Sequence, residues 1–164
     1  MKALVAYYSR TGHTAQVAEA FQRALDAKGV SVEVLRLHRR QEAGFLACGF
    51  EARRGAKPAM VELPMDVSGY DMILLGFPTW AGRASSPANS MVAGIQNVDG
   101  KQCILFSVSA GKDGFIKGLN DIEAYLKGAG VDVIGKQGFF ERDLDTAGSR
   151  VAEFEARVLG HSGS

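Results

Sequence analysis

The apolar run Ala3-Leu4-Val5-Ala6-Tyr7 ends abruptly in Ser9-Arg10-Thr11-Gly12-His13-Thr14, and a helix-periodic segment follows at once. This junction limits the fold more than any other stretch. A short continuous apolar run bounded by a turn reads as a strand buried on both faces, which requires a parallel sheet covered on both sides. The segment after it sets Val17, Phe21 and Leu25 at helical spacing, with Gln16, Glu19, Arg23 and Asp26 on the other face and Gly29 at the position of a C-terminal cap. A strand that turns tightly into a helix leaves the first helical NH groups without partners, at the positive end of the helix dipole. Hydroxyls at Ser9, Thr11 and Thr14 add donors around that point, and Gly12 lets the backbone come close to an anion. Turn and cap chemistry alone also uses Ser, Thr and Gly at such a place. Spacing excludes two other phosphate loops: there is no Gly-x-x-x-x-Gly-Lys-[Ser/Thr] run, and no Gly-x-Gly-x-x-Gly after the first strand. What is left for the loop is a small phosphorylated ligand.

Four further apolar runs alternate with helical patterns. Val30 to Leu37 begins with Val30, Val32 and Val34 separated by Ser31 and Glu33, the alternation of a strand at a sheet edge. Residues 38–69 form an excursion with weak periodicity, read as partly helical; an ordinary crossover helix and surface loop are expected there rather than a lid. Its apolar residues Phe45, Leu46, Phe50 and Met60 are too many for a disordered linker, so some are expected to pack onto the body or over a ligand. Met72 to Phe77 is a central strand leading into Pro78-Thr79-Trp80-Ala81-Gly82-Arg83, and Ser86-Pro87 reads as N-cap and first residue of the next helix. Gln102 to Val108 is the fourth strand and ends in Ser109-Ala110-Gly111-Lys112-Asp113-Gly114. A helix marked by Ile116, Leu119, Ile122 and Leu126, a strand within Val131 to Phe140 and a helix marked by Ala147, Val151, Phe154 and Val158 complete the pattern. The expected architecture is α/β: three layers, with a five-stranded parallel sheet of order 2-1-3-4-5 and helices on both faces. Ligands of such sheets sit at the carboxyl ends of the strands where the order reverses, and all three loops lie there.

A chain of 164 residues, 46% of them hydrophobic, makes one domain, expected over residues 1–160, with 161–164 as a disordered tail. Nineteen Lys and Arg against eighteen Asp and Glu leave a net charge of +1, which provides no field for nucleic acid or an anionic membrane. No apolar run approaches the roughly 20 residues of a membrane span, and the two cysteines form no metal-ligand cluster. A cytoplasmic protein without membrane insertion or a metal site is the expectation. Cys103 lies in an apolar run and reads as inert packing.

Taken together, Ser9-Arg10-Thr11-Gly12-His13-Thr14, Gly76-Phe77-Pro78-Thr79-Trp80 and Ser109-Ala110-Gly111 resemble the flavodoxin family, in order and spacing over nearly the whole chain. The resemblance implies a flavodoxin-like fold and a non-covalent FMN. Its phosphate would lie among Ser9, Arg10, Thr11, Gly12, His13 and Thr14. Its ring would lie between Pro78, Thr79, Trp80, Ala81, Gly82 and Arg83 on one side and Ser109, Ala110, Gly111, Lys112 and Gly114 on the other. Trp80 would stack on or flank the ring, and the Ala81-Gly82 peptide would face flavin N5. The flavin carries the chemistry, so no side chain is assigned a catalytic role. The resemblance implies electron transfer, or NAD(P)H-dependent reduction of a quinone-like or protein acceptor. The other reading is a non-enzymatic one-electron shuttle between protein partners. Flavodoxins that only carry electrons tend to be strongly acidic, whereas this chain is near neutral. The third loop has no aromatic residue before Phe115, which suits a flavin with one open face. Flavodoxin-like reductases are commonly dimers or tetramers, so the resemblance leaves room for a homo-oligomer.

Two rival features belong to other chemistries. Cys48 to Arg54 fits the Cys-x5-Arg spacing of a cysteine phosphatase, although bulky and acidic residues stand where a loop would wrap phosphate. Arg36, Arg39, Arg40, Arg53, Arg54 and Lys57 form a basic cluster, either a solvated face or a contact for the extra phosphate of NADPH or an acidic partner.

Overall fold

Strands β1 (Lys2–Tyr8), β2 (Ser31–Leu37), β3 (Met72–Trp80), β4 (Gln102–Ser109) and β5 (Asp132–Phe140) form one sheet in a computed structural model that describes residues 1–111 and 114–160. The order is β2-β1-β3-β4-β5 and every neighbouring pair is parallel, as the alternating pattern predicts. The expected tail at 161–164 lies outside the described residues.

Period-two alternation sends successive side chains of each strand into different layers. Ala3, Val5 and Tyr7 pack with Leu74, Ile104, Phe106 and Phe139 under helices α1 (His13–Ala27) and, at the end of the chain, Ala147–Leu159. Leu4, Ala6 and Tyr8 pack with Ile73, Leu75, Phe77 and Leu105 on the opposite side, under the helices Ser86–Gly94 and Gly114–Gly128. In the first layer the Phe21 ring lies 4.9 Å from Phe106, 6.5 Å from Phe139 and 6.0 Å from Phe154. Burying one such ring stabilises by about 1.5–3 kcal/mol, so this cluster ties α1 to three other elements. Apart from Leu37, β2 is exposed or half-buried along its length, in keeping with its edge position.

Residues 38–69 hold more structure than a surface loop. Helix α2 (Phe45–Arg53) lies within them, Arg39 bridges Met60 in antiparallel fashion, and Met65–Asp66 pairs in parallel with Ile95–Gln96. Met60, Met65 and Val67 are buried and close the layer beneath α3 (Ser86–Gly94). The N-cap position of α3 is Ser85, one residue earlier than the sequence suggests, and the Ser86 hydroxyl donates to Glu51 Oε2 at 2.8 Å. Strand β3 also runs three residues past Phe77, because Thr79 and Trp80 pair with Ala84 and Arg83 in a hairpin. The next helices are α4 (Gly114–Gly128) and α5 (Ala147–Leu159). Among the described residues, no helix is long and apolar enough to cross a membrane.

Candidate functional site

The carboxyl ends of β1, β3 and β4 open on a cavity of about 670 Å³, walled on its fourth side by α2. At one end is the turn from β1 into α1. Gly12 takes a φ of 93° there, a left-handed conformation that costs glycine little, and its NH donates to the buried Ser9 hydroxyl at 3.1 Å. The first bond of α1 runs from Gln16 NH to Gly12 carbonyl, so the NH groups of His13, Thr14 and Ala15 have no helical partner. Arg36 of β2 donates to the Ser9 carbonyl at 3.0 Å and holds the turn from behind. Arg10, Thr11, His13 and Thr14 line the cavity, whereas Ser9 and Gly12 shape the turn beneath it.

His13 Nδ1 stands 3.0 Å from the Thr11 hydroxyl and 3.2 Å from Glu141 Oε1. Glu141 opens the 3₁₀ segment after β5 and also faces the cavity. A carboxylate at this end went unnoticed in the sequence, because only the topology brings residue 141 beside residue 13.

The second wall is the hairpin. Ala81 and Gly82 take φ values of 50° and 75°, and two positive values in succession are those of a type I′ two-residue turn, the geometry that follows strand twist. Pro78, Thr79, Trp80, Ala81 and Gly82 line the cavity. Trp80 is half-buried and set edge-on to the Tyr8 ring at 5.9 Å. Thr79 is fixed by the Ser107 hydroxyl at 2.8 Å, which also contacts the Phe77 carbonyl. Arg83, expected beside the ring site, is exposed and outside the cavity. The second hairpin strand instead meets α4, where a Cβ on Gly118 would stand 2.7 Å from Ala84 N and 3.2 Å from the Arg83 carbonyl carbon.

Ser109, Ala110, Gly111 and Gly114 form the third wall, with the buried Ser109 hydroxyl accepting from Gly111 NH at 3.1 Å. Lys112, expected here, lies outside the described residues. Phe115 packs on Phe140 at 5.0 Å, against Gly138.

The fourth wall comes from the 38–69 excursion, whose apolar residues were expected to pack onto the body or over a ligand but not to close the site. Phe45, Leu46, Cys48, Gly49, Phe50 and Arg53 of α2 all line the cavity, so the 38–69 excursion covers the site and is more than a surface loop. The available signal was three large apolar residues in a helix without an amphipathic pattern. Helix α2 is held by Glu51, which accepts two hydrogen bonds from Arg39 (2.9 and 3.1 Å) and one from Ser86 (2.8 Å). Hydrogen bonding to the Arg39 guanidinium keeps the Glu51 carboxyl below the usual carboxylate range.

This arrangement also bears on the two rival features. Cys48 sits inside α2, buried, with Arg10 donating to its Sγ at 2.7 Å. Its following residues are helical, so their NH groups are committed to the helix and cannot wrap a phosphate. The basic cluster is likewise divided: Arg36 braces the first turn, Arg39 pairs with Glu51, Arg53 faces the cavity, and Arg54 lies over the Phe50 ring at 5.6 Å.

The cavity's end nearest α1 suits a phosphomonoester: unpaired NH groups, nearby hydroxyls and a cation converge there, and the Trp80 hairpin offers a flat apolar surface beyond. Several known proteins resemble this chain. Flavodoxin 2 from Bacillus cereus, in its oxidised form, superposes with a TM-score of 0.64 at 22% identity over 96% of this chain and 99% of that one. A flavodoxin from Streptococcus pneumoniae TIGR4 gives 0.61 at 16% identity over 96% and 100%. These share the fold. An NAD(P)H dehydrogenase (quinone) from Cupriavidus metallidurans is 40% identical over 86 residues, which are 52% of this chain and 42% of that protein. The chain thus matches less than half the length of that relative. The family model described as NADPH-dependent FMN reductase matches residues 1–144. On that match the chain belongs to the NADPH-dependent FMN reductase family, flavodoxin-like proteins whose flavin is FMN.

Proposed function

We propose that residues 1–160 act as one FMN-binding unit that oxidises NAD(P)H and reduces a quinone-like acceptor. The observation that carries this reading is the convergence of three strand-end loops and α2 on one cavity, with unpaired α1 NH groups at one end and Trp80 at the other. The relative described as an NAD(P)H dehydrogenase (quinone) supports the choice of donor and acceptor.

In this reading the turn at Ser9 to Thr14 holds the phosphate through NH groups and hydroxyls, so that binding needs no lysine. Arg10 adds a cation at the same end, and His13 is a phosphate-loop residue. The hairpin presents Trp80 and the Ala81-Gly82 peptide to the ring, while Ser109, Ala110, Gly111 and Gly114 border it on the other side. FMN held there would supply the redox chemistry that couples two-electron oxidation of NAD(P)H to reduction of a quinone, with the net proton taken from solvent. The protein's part is to orient both partners and to keep water from the ring.

The test is anaerobic. Purified protein reconstituted with FMN is mixed with NADPH, and 1,4-naphthoquinone is then added. Bleaching of the flavin band by NADPH and its return with quinone is the expected result. A flavin that only dithionite reduces would leave an electron carrier fed by another protein, and protein that takes up no FMN would end the proposal.

A further inference from the structure

Helix α2 is turned against its own hydrophobicity. At about 100° per residue, Phe45, Leu46, Gly49, Phe50 and Arg53 fall within one arc of about 140°. The three large apolar side chains on that arc are 83%, 85% and 67% exposed, while Cys48 and Ala52, beside the Phe45 edge of the arc, are buried and Glu51, on the far side, is tied to Arg39 and Ser86. A helix free to rotate about its axis would bury the phenylalanines and expose the glutamate. The Arg39–Glu51 pair and the Arg10 contact to Cys48 Sγ oppose that rotation, and Phe45, Leu46 and Phe50 border the cavity.

That face is continuous with the walls already described. Gly49 brings α2 down on the hairpin, where its Cβ would lie 3.8 Å from the Ala81 Cβ. Phe45, Leu46 and Phe50 border the same cavity as Trp80 and Gly82, and Arg53 adds a cation at the end of the arc. The third wall gives no ring to this space, since Phe115 packs on Phe140.

We propose that α2 is the acceptor wall of the cavity. A planar, apolar ring compound of the quinone class lies against Phe45, Leu46 and Phe50, with Arg53 facing its oxygen or anionic substituent. The inference rests on the FMN reading above and adds to it the surface that selects the acceptor. Apolar contact provides the affinity, and Arg53, with Arg54 over the Phe50 ring, favours electron-poor or anionic rings over cationic ones.

The test uses FMN-loaded protein and anthracene-2-sulfonate, a planar anion that cannot take the place of a reducible quinone. In Phe45→Ala/Leu46→Ala/Phe50→Ala its dissociation constant should rise by about tenfold or more, and the KM for 1,4-naphthoquinone should rise with it. The FMN dissociation constant should stay within about twofold. Phe50→Ala alone, which removes one contact should the triple variant fold poorly, should give about a threefold rise. Unchanged binding of anthracene-2-sulfonate overturns the proposal. A loss of FMN affinity matching the loss of anthracene-2-sulfonate also overturns it, because α2 would then cover the flavin itself. Wild-type protein that takes up no FMN removes the functional reading and the proposal together, and the FMN titration distinguishes that result from the other two.

Discussion

Glu155 on α5 is a carboxylate with little to offset its burial. It is fully buried, and Lys28 stands 3.1 Å away, near enough to pair but without a well-aligned hydrogen bond to either oxygen. Burial therefore pushes its carboxyl up, with Lys28 opposing the effect in part. An acid raised on folding binds its proton more tightly in the native state. It favours folding at low pH, and that advantage is lost as pH rises from the unfolded value to the folded one. Glu155→Gln should accordingly raise the thermal midpoint at pH 7, with the gain vanishing below about pH 4. Thermal scans at the two pH values check this. Nothing in the sequence marks Glu155 as buried, since Phe154 and Val158 define the helix face and residue 155 lies just beside it. Ala81 was similarly hidden. The sequence shows a turn at Ala81-Gly82, but not that the alanine itself takes a φ of 50°, which costs an L-residue about 1 kcal/mol.

Among the elements, α2 differs most from what its sequence suggests. Regular periodicity revealed α1, α4 and α5 because their apolar faces meet the sheet. The large apolar residues of α2 share their arc with Gly49 and Arg53 and meet no sheet, and the helix is fixed instead by Glu51 through Arg39 and Ser86, 12 and 35 positions away along the chain. Distant polar pairing of this kind leaves no local period to read. The sign of its pH dependence is opposite to that of Glu155. The Glu51 carboxyl is lowered, so its contribution is present above about pH 4.5 and is lost as pH falls through the lower folded value. Glu51→Ala leaves the Arg39 guanidinium, whose side chain is 5% exposed, without its carboxylate. The expected cost is about 2–4 kcal/mol, read as a lower urea midpoint, accompanied by faster amide exchange in residues 45–53. Equal exchange in that helix would show that other contacts hold it. The hairpin illustrates the same limit. Its apolar strand was legible through Phe77, but the pairing of Trp80 with Arg83 was not, and with it went the placement of Arg83.

For the molecule as a whole, five apolar runs and the loops after them were enough to give strand order and the cavity's location. Both follow from the rule that parallel strands with right-handed crossovers gather their carboxyl-end loops at a switch in strand order. The parts that escaped, Glu141 and α2, reach the cavity through tertiary packing alone. A ligand that binds only the folded chain must stabilise all of it. FMN at about 100 times its dissociation constant should add about 2.7 kcal/mol and raise the thermal midpoint by about 5–10 °C. Riboflavin at the same concentration should give a smaller shift, because it lacks the phosphate that the α1 turn would hold. Equal shifts for the two would place the phosphate elsewhere. The Arg39–Met60 bridge and the pairing of Met65–Asp66 with Ile95–Gln96 tether the excursion outside the five-stranded sheet. If α2 faces the acceptor as proposed, the chain could exchange that segment while the loops proposed to hold FMN stay in place, so new acceptors would become accessible to evolution without redesign of the redox centre.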